Sequence, residues 1–160
     1  IRVETSYCED GLNIVKSKGN LSKITVNNSY SDAVDFDFSD IKIKSLFISK
    51  ANNDCLDVSG GNYIIQNFSG DLCKDKGISV GEKSKLYIEN FKLIKSNIAI
   101  SSKDSSITKI DNSNIENVEV CYEVKQKKQE FDGAKLFLKN KDLNCNEKIL
   151  IDQNSELIIL

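Results

Sequence analysis

The sequence contains 160 residues, of which 29% are charged, and its formal net charge at pH 7 is −2. This balance excludes the strong positive field that attracts nucleic acid or an anionic membrane surface, so we expect neither as a partner. No apolar run reaches the roughly 18 residues that a membrane-spanning helix requires, so we expect no membrane span. Histidine, proline and methionine are absent and Arg2 is the single arginine, which narrows the catalytic chemistry that the chain can offer.

A short apolar-polar-apolar triplet recurs along the chain at intervals of about 22 residues, a spacing typical of a solenoid. The copies are Leu12-Asn13-Ile14, Val34-Asp35-Phe36, Leu56-Asp57-Val58, Ile78-Ser79-Val80 and, with small slips, Ile98-Ala99-Ile100, Tyr122-Glu123-Val124 and Ile149-Leu150-Ile151. In a strand, the outer members of a triplet point to one face and the middle residue points to the other. We therefore expect one interior stack formed by Leu12, Val34, Leu56 and Ile78.

A second apolar position recurs in each coil, two residues before a polar strand end. It is occupied by Ile43, Ile65, Ile88, Ile110 and Leu138, which precede Ser45, Asn67, Asn90, Asn112 and Asn140. Two further apolar columns contain Ile24, Leu46, Phe68 and Phe91, and Val26 with Ile48. Asparagine tolerates a bent backbone and its amide can bond the amide of the next coil, so we expect an internal asparagine ladder at this corner.

The coils are nearly equal in length until the sixth. Residues 1–20 form an entry coil, and the next coils cover residues 21–40, 41–61, 62–84 and 85–106. The following coil is longer, because the interval from Tyr122 to Ile149 exceeds the repeat. The surplus lies in the segment KQKKQEFDGA, which we expect to form a protruding basic loop with Phe131 exposed.

The composition of the repeats favours strands over helices. β-branched residues dominate the apolar positions, turn-forming residues separate them, and no segment shows the helical spacing i, i+3, i+4, i+7. The consensus of leucine-rich repeats and the six-residue period of left-handed hexapeptide coils are both missing. The sequence therefore predicts an all-β fold, a right-handed single-stranded parallel β-helix of about seven coils of about 22 residues, which occupies residues 1–160 as one domain.

The two ends of the chain indicate that more structure adjoins this solenoid. Residue 1 is not methionine, and the final segment LIIL is apolar and lacks a polar cap. The last coil of an open solenoid has to be covered. We therefore expect a fragment of a longer solenoid, incomplete at one or both ends, with end-to-end or homo-oligomeric packing at the C-terminal strand as another way to cover it.

The five cysteines, Cys8, Cys55, Cys73, Cys121 and Cys145, show no metal-finger spacing. Cys55 and Cys121 fall in one column, but three coils separate them by roughly 14 Å, which is too far for a disulfide bond. We expect most of the cysteines to be small buried core residues, which leaves the redox compartment undetermined.

The stacked coils, the apolar-x-Asn strand ends and the phrases NDCLDVSGG, DKGISVGEKS and KKQEFDGA resemble the right-handed parallel β-helix of the pectate-lyase-like superfamily. The resemblance is greatest to a branch of large bacterial exported and surface proteins, which implies an extracellular or cell-surface location. In this superfamily, pectate lyases use aspartate-bound calcium and an arginine base, polygalacturonase-like hydrolases need paired aspartates with histidine and an arginine-lysine motif, and mannuronan epimerases need an aspartate-proline-histidine turn. Each of these sets is incomplete here, because histidine and proline are missing and Arg2 lies at the end of the chain.

An acidic column is the strongest candidate for a binding site. Asp35 and Asp57 are predicted to lie side by side on the outer face of neighbouring coils. The candidate binding residues of this acidic face are Asp35, Asp37, Asp57, Ser59 and Ser79. Adjacent carboxylates repel unless a cation or a shared proton relieves them, and clustered oxygens suit calcium, so a calcium site is predicted at Asp35 and Asp57. The alternative is that no cofactor binds, and that water and Lys76 screen the pair.

Two functions fit these features. We expect a non-catalytic β-helix module of a secreted or cell-surface protein, which serves as a rigid stalk or as a binding face for a polysaccharide or a surface protein. The alternative is a polysaccharide-active β-helix fragment, similar to a lyase, hydrolase or epimerase, with a calcium-binding acidic face. Its missing catalytic residues would then come from coils outside this sequence.

Overall fold

Short runs of β-branched residues, separated by turn-forming residues, give the chain extended backbone that bends at regular corners. The computed structural model describes residues 1–140 and 142–160, which form a parallel β-solenoid of about seven turns. Its strands are β1 (Arg2–Val3), β2 (Asp10–Val15), β3 (Lys18–Ser29), β4 (Asp32–Asp37), β5 (Asp40–Ala51), β6 (Leu56–Ser59), β7 (Asn62–Gly81), β8 (Lys85–Lys103), β9 (Ile107–Lys125), β10 (Lys135–Leu138), β11 (Cys145–Ile151) and β12 (Glu156–Ile159). These residues contain no helix, and so none that is long and apolar enough to cross a membrane. The predicted all-β parallel β-helix is confirmed.

Each turn of the solenoid contributes to three walls, because the long strands bend at corners and pair with parallel strands one turn away. The triplet wall consists of β2, β4, β6 and the later parts of β7, β8, β9 and β11. The second wall includes residues 40–43 of β5 and 62–65 of β7, and ends with β10 and β12. The third wall follows the second in each turn and includes residues 45–51 of β5 and 67–73 of β7.

Inward side chains of successive turns lie directly above one another. Val34 pairs with Leu12 in the turn before it and with Leu56 in the turn after it. Leu56 pairs in turn with Ile78. Val34, Leu56 and Ile78 are fully buried, and Leu12 packs against them at the end of the core. The predicted interior stack is therefore confirmed.

The other predicted apolar columns are confirmed as well. The column of the second wall contains Ile43, Ile65, Ile88, Ile110 and Leu138. The columns of the third wall contain Ile24, Leu46, Phe68 and Phe91, and Val26 with Ile48. The rings of Phe68 and Phe91 are stacked with their centroids 5.2 Å apart, so aromatic packing adds to the burial of this column.

The fifth triplet is shifted from its predicted position. Ile100, rather than Ile98, pairs with Ile78, so the prediction of Ile98-Ala99-Ile100 is wrong by two residues. Ser102 takes the interior position in which the other turns place an apolar side chain. Its hydroxyl lies 2.9 Å and 2.8 Å from two other buried hydroxyls, those of Ser106 and Thr108. Because these hydroxyls satisfy one another, a polar residue is tolerated where the pattern favours an apolar one.

Residues in the left-handed backbone conformation, one or two in each turn, build two corners of the solenoid. At the corner that follows the third wall, φ lies between 56° and 66° at Asn28, Lys50, Leu72, Lys95 and Asn117. At the corner that follows the triplet wall, φ is also positive at Lys16, Phe38, Gly60, Glu82 and Asp104. Most of these residues are not glycine, and side chains adopt this conformation at a cost. The regular stacking of the turns therefore holds them in place.

Four of the five cysteines form disulfide bonds, which the repeat does not predict, whereas Cys55, Cys73 and Cys121 are buried as expected. Cys55 is bonded to Cys73 and Cys121 to Cys145, with Cα–Cα distances of 5.3 Å and 5.6 Å. Each bond joins the residue just before a triplet, Cys55 or Cys121, to a residue of the next turn that pairs with the position directly after a left-handed residue, Cys73 or Cys145. The partners therefore come from different columns, whereas the prediction compared cysteines within one column. Cys8 is free and exposed.

The surplus of the long turn lies in residues 126–134, between β9 and β10, as the repeat predicts. The segment does not protrude freely, because the backbone amides of Lys127 and Lys128 both donate to a carboxylate oxygen of Asp104 at 2.7 Å. Phe131 is half-buried, so the prediction that it is exposed is wrong. These contacts make the insertion part of the solenoid surface.

The asparagine ladder forms on the outside of the solenoid. The side-chain amide of Asn90 donates to that of Asn67 at 3.2 Å, Asn112 donates to Asn90 at 3.1 Å, and Asn140 donates to Asn112 at 3.0 Å. All four residues are exposed, so the ladder is confirmed but its predicted interior position is wrong. The interior of this bend is filled by the apolar columns, which leave no room for the amides.

Candidate functional site

The predicted acidic face lies on the triplet wall, where outward side chains alternate with the interior stack. Asp35 is paired in register with Asp57, and Asp37 with Ser59. Ser79 follows Asp57 in the next turn. The structure therefore brings all five predicted binding residues together on one wall.

Asp35 is half-buried and surrounded by other carboxylates. Burial, followed by the negative charges of Asp37, Asp10 and Asp57, raises the pKa of Asp35 to about 7. One neutral group opposes this repulsion, since the amide of Asn13 donates to the Asp35 carboxylate at 3.2 Å. A proton or an added cation would stabilise this arrangement.

Lys76 forms its ion pairs with aspartates other than Asp35 and Asp57, the pair that it was predicted to screen. Its ammonium group is paired with Asp75 and, at 3.4 Å, with Asp54. Burial lowers the pKa of Lys76, but these two contacts outweigh it, so the pKa is raised. Burial also raises the pKa of Asp54 to about 7, although Lys76 opposes the shift.

The accessible part of the acidic face ends at the turn that contains Ser79. This residue is fully buried, and its hydroxyl accepts a hydrogen bond of 2.7 Å from the ammonium group of Lys103. In the following turns the column continues with Ser101, whose hydroxyl donates to the carboxylate of Glu123 at 2.6 Å. Ser79 is therefore held within the wall, and the accessible groups of the acidic face are its half-exposed aspartates.

Calcium binding at this face would depend on two adjacent carboxylates and neighbouring neutral oxygens. In residues 1–140 and 142–160, no group of three or more His, Cys, Asp or Glu side chains is placed to hold a metal ion. Calcium takes about six to eight oxygen ligands, so hydroxyl, carbonyl or water oxygens would have to complete the shell around Asp35 and Asp57. The calcium site stays a prediction.

Two aspartates, Asp35 on the acidic face and the buried Asp54 beside Lys76, make the stability of the fold depend on pH. The pKa values of Asp35 and Asp54 are about 7 in the folded chain and about 4 in an unfolded one, so the folded state binds more protons between these limits. The stabilisation is complete below about pH 4 and is lost as the pH rises through about 7. We expect a higher melting temperature at about pH 5 than at about pH 8, measured by circular dichroism.

A matched pair of variants tests the origin of this pH dependence. Asp35→Asn should reduce the difference in melting temperature between the two pH values, because one of the titrating groups is removed. Asp71→Asn, at an exposed position on the third wall, should leave the difference unchanged. An equal effect of the two substitutions would contradict the assignment to the acidic face.

A second candidate site, which we call the corner groove, runs along the corner that follows the third wall. It has a volume of about 930 Å³ and crosses the turns marked by Asn28, Lys50, Leu72, Lys95 and Asn117. These five residues occupy consecutive turns. At about 4.8 Å per turn the groove is at least about 19 Å long, which is the shape of a site for an extended molecule.

The shape of the corner groove is fixed by covalent bonds. Cys73 and Cys145 line the groove, and each is bonded to a cysteine on the other side of the corner. The left-handed residues of this corner turn the chain sharply between the third wall and the triplet wall. The concave surface therefore forms part of the rigid solenoid.

The polar side chains of the corner groove are available to a ligand. Those of Asn28, Asn52, Asn97 and Asn117 are exposed and form no hydrogen bond with another residue in the described part of the chain. The asparagines of the ladder, in contrast, are bonded to one another. Free amides that face a groove offer both donors and acceptors to a bound molecule.

The sequence gives little signal for the corner groove. Steps of 22 residues from Asn28 reach Lys50 and Leu72, which share no chemistry, so the column does not stand out as the apolar columns do. Its residues share a left-handed backbone conformation, for which only the asparagines, Asn28 and Asn117, are typical. These two asparagines are therefore the one feature of the sequence that indicates a corner at this position of the repeat.

The two candidate sites differ in charge and in accessibility. The acidic face carries aspartates on neighbouring turns of the triplet wall, whereas the corner groove carries amides and lysines along the corner that follows the third wall.

Comparison of the chain with protein-family models, with curated proteins and with solved structures found no match.

Proposed function

We propose that the chain is a non-catalytic β-solenoid module that binds an extended glycan in the corner groove. The observation that supports this most directly is a groove of about 930 Å³ whose amide and ammonium groups recur on successive turns. Sugar hydroxyls both donate and accept hydrogen bonds, and asparagine amides match both roles. A repeating row of such groups suits a polymer better than a compact small molecule.

The chemistry of both candidate sites favours binding over catalysis. Among the described residues that line the corner groove, only Glu119 carries a carboxylate, which accepts a hydrogen bond of 2.6 Å from Asn146. On the acidic face, burial lowers the pKa of Lys103, but this candidate base is bonded to the buried hydroxyl of Ser79. General acid–base catalysis needs an acid and a base that both reach one substrate. The groups described here do not provide such a pair.

A rigid solenoid is well suited to this role. Its turns are joined by parallel hydrogen-bonded ladders on all three walls. Two disulfide bonds also join successive turns near the corner that follows the third wall. A surface that is already ordered loses little conformational entropy when it binds a ligand. Outward side chains can also vary while the interior stack maintains the shape, so the module can serve as a stalk and as a binding face.

We assign the module to a secreted or cell-surface protein. Disulfide bonds form and persist in oxidising compartments and are rare in the cytosol. Two of them join successive turns of this chain. The resemblance of the sequence to exported members of the pectate-lyase-like superfamily supports the same location, and the parallel β-solenoid is the fold that this resemblance implies.

Binding of the purified chain to soluble polysaccharides, measured by calorimetry or biolayer interferometry, tests the proposed function. We expect binding to at least one extended glycan. Asn97→Ala should weaken it by roughly three- to tenfold, since one or two hydrogen bonds are lost. Asn20→Ala, an exposed asparagine outside the groove, is the matched control. Failure to bind any glycan, or equal loss in both variants, would contradict the proposal.

A second candidate function follows from the unrelieved repulsion at Asp35. A calcium ion at Asp35 and Asp57 would offset the charges that raise the pKa of Asp35. Such an ion would support a polysaccharide-active fragment of a larger β-helix, with catalytic groups supplied from elsewhere. This role would place the substrate on the triplet wall instead of in the corner groove.

Thermal melting with added calcium separates the two candidates. A ligand that binds only the folded chain must raise the melting temperature. If calcium binds, we expect an increase at millimolar calcium that is lost in Asp57→Ala. An unchanged melting temperature, or an increase that persists in this variant, removes the support for the calcium-dependent candidate.

The free edge of β12 is a candidate contact with a second copy of the chain. In the described part of the chain, β12 pairs with β10 and with no strand on its other side. Ile159 and Leu160 are exposed there, and an unpaired apolar edge is a template for strand pairing. We propose association through this edge. An unchanging monomer mass in size-exclusion chromatography over a wide range of concentrations would contradict it.

A further inference from the structure

We propose that the glycan bound in the corner groove carries anionic groups at regular intervals along its chain. This inference rests on the proposed function and adds the chemical class of the ligand. It follows from the kind, the spacing and the freedom of the charged side chains that line the groove.

Three consecutive turns each place one ammonium group along the groove, those of Lys50, Lys74 and Lys95. Lys50 and Lys95 are separated by the turn of Leu72, so they lie about 10 Å apart along the solenoid axis. Lys74 follows Leu72 in the intermediate turn. A ladder of positive charges with this regular rise matches a polymer whose anionic groups also recur at a fixed interval.

These lysines are free to pair with a ligand. In residues 1–140 and 142–160, none of the three takes part in a salt bridge, although eight salt bridges form elsewhere. The acidic residue of the lining, Glu119, is bonded to Asn146. The groove is therefore locally positive, although the whole chain has a net charge of −2.

Lysine suits the anionic groups that glycans carry. Its ammonium group acts as a compact point charge that binds carboxylate, sulfate and phosphate oxygens. The free amides beside the lysines can hydrogen-bond the sugar hydroxyls between the charged groups.

A nucleic acid is a poorer match, although it also carries anionic groups at regular intervals. Single-stranded nucleic acids are usually held by aromatic side chains on which the bases stack. Among the residues described, the groove lining includes no Phe, Tyr or Trp. The disulfide bonds of the module also favour an oxidising location, in which extended glycans are the expected polymers.

Binding assays with defined polymers and two matched double variants test the inference. The probes are heparin, poly(glycerol phosphate), polygalacturonate, dextran and single-stranded oligothymidylate. We expect heparin, poly(glycerol phosphate) or polygalacturonate to bind more tightly than neutral dextran, with an affinity that falls as ionic strength rises. Lys50→Gln with Lys95→Gln should weaken this binding about tenfold, because two charge contacts are removed.

The control removes two charges from another wall. Lys42 and Lys85 are exposed, lie two turns apart on the second wall and take part in no salt bridge with a described residue. Lys42→Gln with Lys85→Gln should change the affinity by less than about twofold. Melting temperatures of both variants should equal that of the parent chain, which shows that any loss of binding is local.

Each outcome separates the inference from the proposed function. Equal or tighter binding of dextran overturns the anionic class but leaves glycan binding intact. Tightest binding of oligothymidylate overturns the inference in favour of nucleic acid. Equal losses in the two double variants mean that the charge effect is not specific to the groove, which also overturns it. Absence of binding to every glycan overturns the inference together with the proposed function.

Discussion

Replacing Leu56 by alanine should lower the free energy of unfolding by about 2–5 kcal/mol. Leu56 is fully buried in the interior stack between Val34 and Ile78. Hydrogen-bonded ladders hold its strand on both sides, so neighbouring turns cannot move inward to fill the space that the lost atoms leave. Chemical denaturation followed by circular dichroism measures the change.

The control for this variant is the next residue in the chain. Asp57 points outward from the same strand and lies beside Asp35. Asp57→Ala removes one of two repelling charges, so the free energy of unfolding should stay the same or rise slightly. If Leu56→Ala destabilises the chain no more than Asp57→Ala does, Leu56 is not part of an interior stack.

Removing the bond between Cys55 and Cys73 should lower the free energy of unfolding by about 3 kcal/mol. The bond closes a loop with a sequence separation of 18 residues and so restricts the unfolded chain. Both cysteines are buried, so the double replacement Cys55→Ala with Cys73→Ala avoids placing new hydroxyl groups in the core. The melting temperature of this variant, compared with that of the oxidised parent, gives the effect.

The free cysteine provides the control for the disulfide variant. Cys8 is exposed and unbonded, so Cys8→Ala should leave the melting temperature unchanged, and a reductant should lower it in the parent chain. In the double variant the reductant should act on the remaining bond between Cys121 and Cys145. A parent chain whose melting temperature is insensitive to reductant would contradict both disulfide assignments.

The sequence predicts the architecture well because its apolar residues repeat with the period of the coil. Val34, Leu56 and Ile78 are aligned by a fixed step, and a one-residue error would turn each of them to the solvent side. The pattern therefore determines the register almost completely. The pattern fails at Ile98, which a search for apolar residues selects two positions too early. One of the true interior positions holds Ser102, whose polar side chain is tolerated because it contacts other hydroxyls.

The disulfide bonds and the corner groove depend on geometry that the repeat does not contain. Cys55 and Cys73 lie in different columns and meet because a corner brings the end of one wall close to the start of the next, one turn away. The groove follows from the left-handed conformation of residues as different as Lys50 and Leu72. A column search compares equivalent positions, so it cannot find contacts between columns.

The sequence predicts the acidic face only in part. Its pairing of Asp35 with Asp57 follows directly from the repeat and is confirmed. The burial of Ser79 beneath its contact with Lys103 is not visible in the sequence, because both residues occupy outward positions of the alternating pattern. Column position therefore predicted which residues are neighbours, but not which of them a ligand can reach.

The register of adjacent turns is tested most directly by a designed disulfide between outward residues of the third wall. Ser69 pairs with Lys92, and Lys92 pairs with Asn114 one turn further on. Adjacent turns lie about 4.8 Å apart, within the range that a disulfide bond spans, whereas two turns are about 10 Å apart. In a Cys8→Ala background, we expect Ser69→Cys with Lys92→Cys to form an intramolecular bond that mass spectrometry detects, and Ser69→Cys with Asn114→Cys to form none. Bond formation in the second pair, or in neither, would contradict the stacked solenoid.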